Sequence, residues 1–151
     1  MTIAIGTITA NIFTDIKAIL DADSTIQVNG TLGVKFIGGT FPDKFITSTD
    51  GLPFIIIHKP KIKQEKLTFT KYKYPGSITI DVYANQESHI KTIEDGLRTL
   101  LCSTTTRNTL HGQAISFWML ASDDENPAEK RNERAVHSCS QTYEFLYLGG
   151  G

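Results

Sequence analysis

The sequence predicts an α+β fold: a mainly antiparallel sheet of about four to five strands, packed by two helices and ending in an extended C-terminal β-hairpin. Three observations point there. Ile78, Ile80, Val82 and Ala84 alternate with Thr79, Asp81 and Tyr83, the period-two pattern of a half-buried strand. Ile90, Ile93, Leu97, Leu100 and Leu101 follow at helical spacing and make one apolar stripe. A long alternating run from Arg134 to Leu148 then completes a second pair of strands.

The elements follow in order. Ile8, Ile12, Ile16, Ile19 and Leu20 predict a first helix, with Asp15, Lys17 and Asp21 off the stripe. Thr7 or Thr9 would cap its start, because a hydroxyl accepts the orphan N–H groups of a first turn. Asp23-Ser24-Thr25 reads as the exit. From Val28 to Asp50, glycines at 30, 33, 38 and 39 with Pro42 punctuate short apolar pieces such as Val34 to Ile37. That pattern predicts a long loop with one short strand, a candidate contact arm.

Phe54-Ile55-Ile56-Ile57 is apolar on both faces and predicts a central strand, ended by Pro60. Lys66 to Tyr74 and Ser77 to Ala84 read as a hairpin about the turn dipeptide Pro75-Gly76. In the second helix, Glu87 near the start and Arg98 near the end both suit the helix dipole. Gly96 costs that helix about 1 kcal/mol and permits a close approach. The run Ser103 to Thr106 terminates it. The final strands are expected over Gln113 to Ala121 and Arg134 to Leu148, with a charged loop between them. In the last strand His137, Cys139, Gln141, Tyr143, Phe145 and Tyr147 share one face, and neither face is cleanly apolar. Such a strand is expected to outgrow the core as a β-ribbon.

Composition narrows the function classes. The 151 residues suit a single domain spanning the chain, with 148–151 as a flexible tail. Hydrophobic residues are 40% and charged residues 21%, a globular balance. The net charge of −1 draws the chain to neither nucleic acid nor an anionic membrane. No apolar run reaches the roughly 18 residues of a membrane helix. The opening Met1 to Thr7 lacks the pattern of a secretory signal, so Asn29-Gly30-Thr31 reads as a chance match to a glycosylation acceptor. Cys102 and Cys139 lack metal-ligand spacing and read as reduced, half-buried thiols.

The search for chemistry yields no catalytic, cofactor or metal site. Neither a phosphate-binding loop nor a dinucleotide fingerprint occurs. Asp21, Asp23 and Thr25 mimic a calcium loop, but Ile26 and Leu32 occupy its glycine and glutamate positions. His58, His89, His111 and His137 show no paired ligand spacing, and nothing supports a Cys139–His111 pair. The terminal Gly149 to Gly151 reads as a frayed tail and not as an activated Gly-Gly end.

Two charge clusters remain. Lys59, Lys61, Lys63, Lys66, Lys71 and Lys73 crowd one strand region against Glu65 alone. They read either as an edge strand guarded against aggregation or as a basic contact stripe. Asp123, Asp124, Glu125, Glu129 and Glu133, mixed with Lys130, Arg131 and Arg134, form either a solvated loop or a complement to those lysines on another copy. Opposite patches on one surface would give head-to-tail contacts that close into a ring.

In the order of these elements, from the N-terminal helix through Phe54 to Lys59, Ile78 to Ala84, Ile90 to Cys102 and the strand ending Phe145-Leu146-Tyr147-Leu148, the sequence resembles the tail terminator (tail completion) proteins of long-tailed bacteriophages. Lambda-type and contractile-tail relatives share that order. The resemblance covers most of the chain, best from Leu52 onward, and leaves the 28–50 loop and the lysine run unmatched. It implies a non-enzymatic protein of the virion neck, assembled in the host cytoplasm. Such a protein forms a hexameric ring with itself on the tail tube protein, stops tube growth and meets a head–tail connector or neck protein. Genomic DNA then passes the lumen without sequence-specific binding, and no membrane is involved. The expected contacts are Lys61, Lys63, Lys66, Lys71 and Lys73 in the stripe, with Asp123, Asp124, Glu125, Glu129 and Arg131 in the loop. The alternatives are another connector or tail-tube subunit, a small cytoplasmic enzyme, or a single-stranded nucleic-acid binder using Tyr72, Tyr74 and the lysines.

Overall fold

A computed structural model describes residues 5–40, 53–66, 72–131 and 134–148, with 129–131 and 134–135 described as backbone only. The elements are α1 (Ile5–Ala22), β1 (Phe36–Gly38), β2 (Phe54–Ile57), β3 (Lys61–Ile62), β4 (Glu65–Lys66), β5 (Tyr72–Ala84), α2 (Glu87–Leu101), α3 (Thr104–Gly112), β6 (Ile115–Arg131) and β7 (Arg134–Tyr147). The fold class is the expected α+β, with a larger inventory. Among the described residues there are three helices and a seven-stranded sheet, mixed only by the parallel β1–β2 pair.

The strand order is β1-β2-β5-β7-β6, with β3 and β4 also on β5. β5 is thus the hub. Its upper half pairs with β2, while Gly76 and Ser77 pair with β3 and Tyr72 and Lys73 with β4. Its other edge pairs with β7 from Tyr74↔Tyr147 to Ala84↔His137.

One face of the sheet carries the main core. Ile55, Ile57, Ile78, Ile80, Val82, Ala84, Cys139, Tyr143 and Phe145 pack there with the α1 stripe (Ile8, Ile12, Ile16, Leu20) and the α2 stripe (Ile90, Ile93, Leu97, Leu101). Both stripes are the ones the spacing predicts. β2 is buried on both faces, as expected; its Phe54 and Ile56 join Val136, Phe36 and Tyr83 in a second, small cluster.

Several expectations fail for identifiable reasons. Pro75-Gly76 is no turn: β5 runs straight through it, with Pro75 opposite Leu146 and Gly76 opposite Phe145. Glycine is needed there for a different purpose. A Cβ on Gly76 would lie 2.5 Å from the Lys61 carbonyl oxygen, so β3 approaches only because none is present. Ser103 does not simply end α2. Its hydroxyl accepts from the Thr106 N–H and starts α3, an N-cap that the threonine run disguised. α1 already includes Ile5, so neither Thr7 nor Thr9 caps it, and the Thr9 hydroxyl donates to the Gly6 carbonyl instead. The exit at Asp23 is as read: its carboxylate accepts from the Thr25 hydroxyl, which chiefly holds its pKa below the usual value, and from the Thr25 and Ile26 N–H groups.

The charged loop is the largest correction. β6 continues through it to Arg131 and pairs with β7 to Arg134, so 122–131 is strand; as far as Asn126 it edges the main sheet, because its β7 partners also pair with β5. Three register shifts, between 116/119, 120/122 and 126/129, break the alternation that would have marked these residues as strand. β7 also has a cleaner inner face than expected, with Cys139, Gln141, Tyr143, Phe145 and Tyr147 all buried. The 41–50 part of the long loop, Lys71 and the terminal glycines lie outside the described residues.

Candidate functional site

The two edges of the sheet differ in charge. On the β3–β4 edge, Lys59, Lys61, Lys63 and Lys66 are exposed. The expected single stripe is divided over three strands, because Lys73 belongs to β5. Glu65 sits between two lysines, 3.5 Å from Lys63 Nζ and 3.4 Å from Lys73 Nζ. Among the described residues Lys59 and Lys61 make no ion pair, so the basic surface concentrates where β2 gives way to β3. An open concavity of about 500 Å³ lies there, bordered by Lys61, Lys63, Gly76 and Glu144.

The opposite edge is β6, which pairs only with β7 among the described residues. Asp124 and Glu125 stand exposed on it, opposite Ser140 and Cys139. Glu129 and Arg131 continue the strand opposite Val136 and Arg134. Asp123 is different. Its side chain is only 12% exposed and is bound by Arg98 of α2.

That pair belongs to a network pinning the ribbon to α2. Arg98 also meets Glu94, at 3.4 Å, and Asp95. The buried Gln141 amide donates to the Glu94 carbonyl oxygen at 3.0 Å and to Asp123 at 3.4 Å, and its own oxygen accepts from the Tyr143 hydroxyl at 2.7 Å. Gln141 therefore occupies a core position without an orphaned amide. One oxygen of Glu94 and one of Asp123 are buried without a partner. Burial, and then the nearby Asp123 carboxylate, raise the Glu94 pKa above the usual range.

The same environment argues against thiol chemistry. Burial pushes the Cys139 thiol pKa far up, with Glu94 and Asp123 adding to it, so the thiolate a nucleophile needs is suppressed. His111 Nδ1 lies 3.2 Å from Ser116 Oγ, and His58 pairs with Asp81 at 2.6 Å. Among the described residues no three His, Cys, Asp or Glu side chains gather as a metal site. No described helix is long and apolar enough to cross a membrane.

Sequence reasoning missed one surface feature. At the first register shift of β6, Phe117 adopts φ +56° and is 76% exposed, with Met119 beside it at 53%. The available signal was the adjacent pair Phe117-Trp118, which strict alternation cannot accommodate. Trp118 turns inward, stacks on Tyr143 at 4.8 Å and donates to the Leu101 carbonyl oxygen at 2.9 Å. Phe117 is left in solvent.

No family model and no curated protein matches the chain. Among solved structures it is similar to a chain of a structure described as "Virion of native gene transfer agent (GTA) particle". The identity is 10% and the TM-score 0.48, over 93% of this chain and 98% of that one. A likeness that distant assigns neither a family nor an activity.

Proposed function

We infer that the chain is a non-enzymatic structural protein of a phage-like virion: a tail terminator that sits as a ring at the neck, ends tube growth and offers the head-joining surface. The observation carrying this reading is the unlike charge of the two edges of one sheet. Lys59 and Lys61 lie at one edge and Asp124 and Glu125 at the other. Edges so placed favour head-to-tail contacts between copies, which close into a ring when the rotation per subunit permits. The order of elements, from α1 to the long β6–β7 hairpin, supports the same reading through the sequence resemblance. In the ring, the tube protein and the head–tail connector would take the two rims, and DNA would pass the lumen by shape alone.

The test is removal of the gene from the phage-like element that encodes it, followed by electron microscopy of the particles. Over-length or headless tails are the expected result. Normal tails joined to full heads would exclude the terminator role. Long tubes formed by the purified chain would instead identify a tail-tube subunit, since heterologous contacts that fail to close propagate.

A further inference from the structure

We propose that Phe117 is a knob that seats in the groove between α1 and the end of β2 on a second copy of this chain, supplying the apolar centre of the subunit contact. The inference rests on the ring reading for its biological setting, and on the following geometry for its substance. Phe117 occupies left-handed backbone at a bulge, a position where glycine is the unstrained choice and where a bulky side chain costs about 1–2 kcal/mol. The residue is 76% exposed, so it gains little burial in return within its own chain, and the exposed Met119 extends the apolar surface. A large aromatic held in strained backbone on an open strand edge is an anchor without its pocket.

The pocket lies across the molecule. A groove of about 440 Å³ is bounded by Gly6, Ala10, Phe13, Gly39, Ile57 and Pro60. Small residues open its α1 side: Gly6 and Ala10 are exposed, and a Cβ on Gly6 would meet nothing within 4 Å. Phe13 supplies an aromatic wall. The knob is on β6 and the groove at the β1–β2 end of the order β1-β2-β5-β7-β6, so the two cannot meet within one chain. Between copies they can, and the contact is then heterologous. Charge agrees with the pairing. Lys59 lies on the groove and Lys61 just beyond it, while Asp124 and Glu125 follow the knob along β6. The knob thus lies on the acidic edge of the sheet and the groove beside the basic one, the pairing of unlike edges that a head-to-tail contact uses.

The experiment uses the full chain and two single variants. Phe117→Gly removes the knob and relieves the backbone; Ala10→Trp fills the groove from an exposed helix position. Sedimentation velocity reads association, and thermal melting reads the fold. Each variant is expected to weaken self-association about tenfold or more, while Phe117→Gly melts no lower than the natural chain. Mixing the two variants is the decisive arm. The Ala10→Trp chain keeps its knob and the Phe117→Gly chain its groove, so the mixture should form one-to-one dimers and stop there. A Phe117→Gly chain that assembles as the natural one does overturns the knob and leaves the ring reading standing. A natural chain that remains monomeric at every concentration likewise overturns the knob, and the terminator role is then decided by the particles alone.

Discussion

Near its base the β6–β7 hairpin stacks Trp118 on Tyr143 beneath α2; farther out, the same two strands hold Asn126 against Ser138 and Ser140 in solvent, at 3.2 and 3.1 Å. Both halves share one antiparallel ladder. The base adds burial, an aromatic stack and the Arg98–Asp123 and Gln141 links to α2. Farther out, β6 has its cross-strand pairs alone, each worth about 0.2–1 kcal/mol, while β7 stays in the sheet, paired with β5 as far as His137 and burying Val136. The base therefore fixes the register, and the outer half is free to carry surface charge at little expense to the fold.

The largest test of that contrast is Trp118→Ala. It should cost about 3–5 kcal/mol in chemical denaturation, because it leaves a cavity under Leu101 and unstacks Tyr143. Asn126→Ala, on the same strand, should stay within about 0.5 kcal/mol. An equal loss at both positions would mean that the ribbon and its base do not differ as described.

Gln141→Leu comes next, at about 1–3 kcal/mol, because the Glu94 carbonyl and the Tyr143 hydroxyl lose their partner in the core. Adding Tyr143→Phe to that variant should recover part of the loss, by removing one of the stranded groups. A purely additive double mutant would show that the two side chains are not coupled.

A smaller effect sharpens the comparison through pH. The Glu94 pKa is raised in the fold, so the folded chain holds that proton more tightly than the unfolded chain does. Its contribution is full below the unfolded pKa and is lost as pH rises through the folded one. Melting temperature should therefore fall slightly across the mildly acidic range, and Glu94→Gln should flatten that slope. The smallest effect on the fold belongs to Asp124→Lys with Glu125→Lys, expected within about 0.5 kcal/mol of the natural stability. Their assembly should nevertheless fail, and Lys59→Glu with Lys61→Glu on a partner chain should restore it.

Much of the base was legible in the sequence, because burial imposes a period. The α1 and α2 stripes, the doubly buried β2 and the inward set of β5 all appear as spacing. The outer ribbon was not legible. Its bulges interrupt the alternation and its composition is that of a loop, so Ser122 to Arg131 carries no periodic signal. Pro75-Gly76 misled for the converse reason: a turn-like dipeptide can also mark the place where a neighbouring backbone passes too close for a side chain. The expected contacts were read as composition and not as position. Lys63 and Lys73 prove to share Glu65, and Asp123 proves to be engaged by Arg98, which shifts the interest to Lys59, Lys61, Asp124 and Glu125.

The position of β5 as hub has a consequence for synthesis. Its partner across the ladder arrives late: Thr79 bonds to Thr142, 63 residues farther along the chain. Two helices and the whole of β6 leave the ribosome before β7 can close that edge. Until then the nascent chain presents an uncovered strand of Ile78, Ile80 and Val82, a template for pairing with any neighbouring chain. Folding with so many distant pairings is slow, and a chain stopped short of β7 would be lost to aggregation sooner than it would be lost to misassembly.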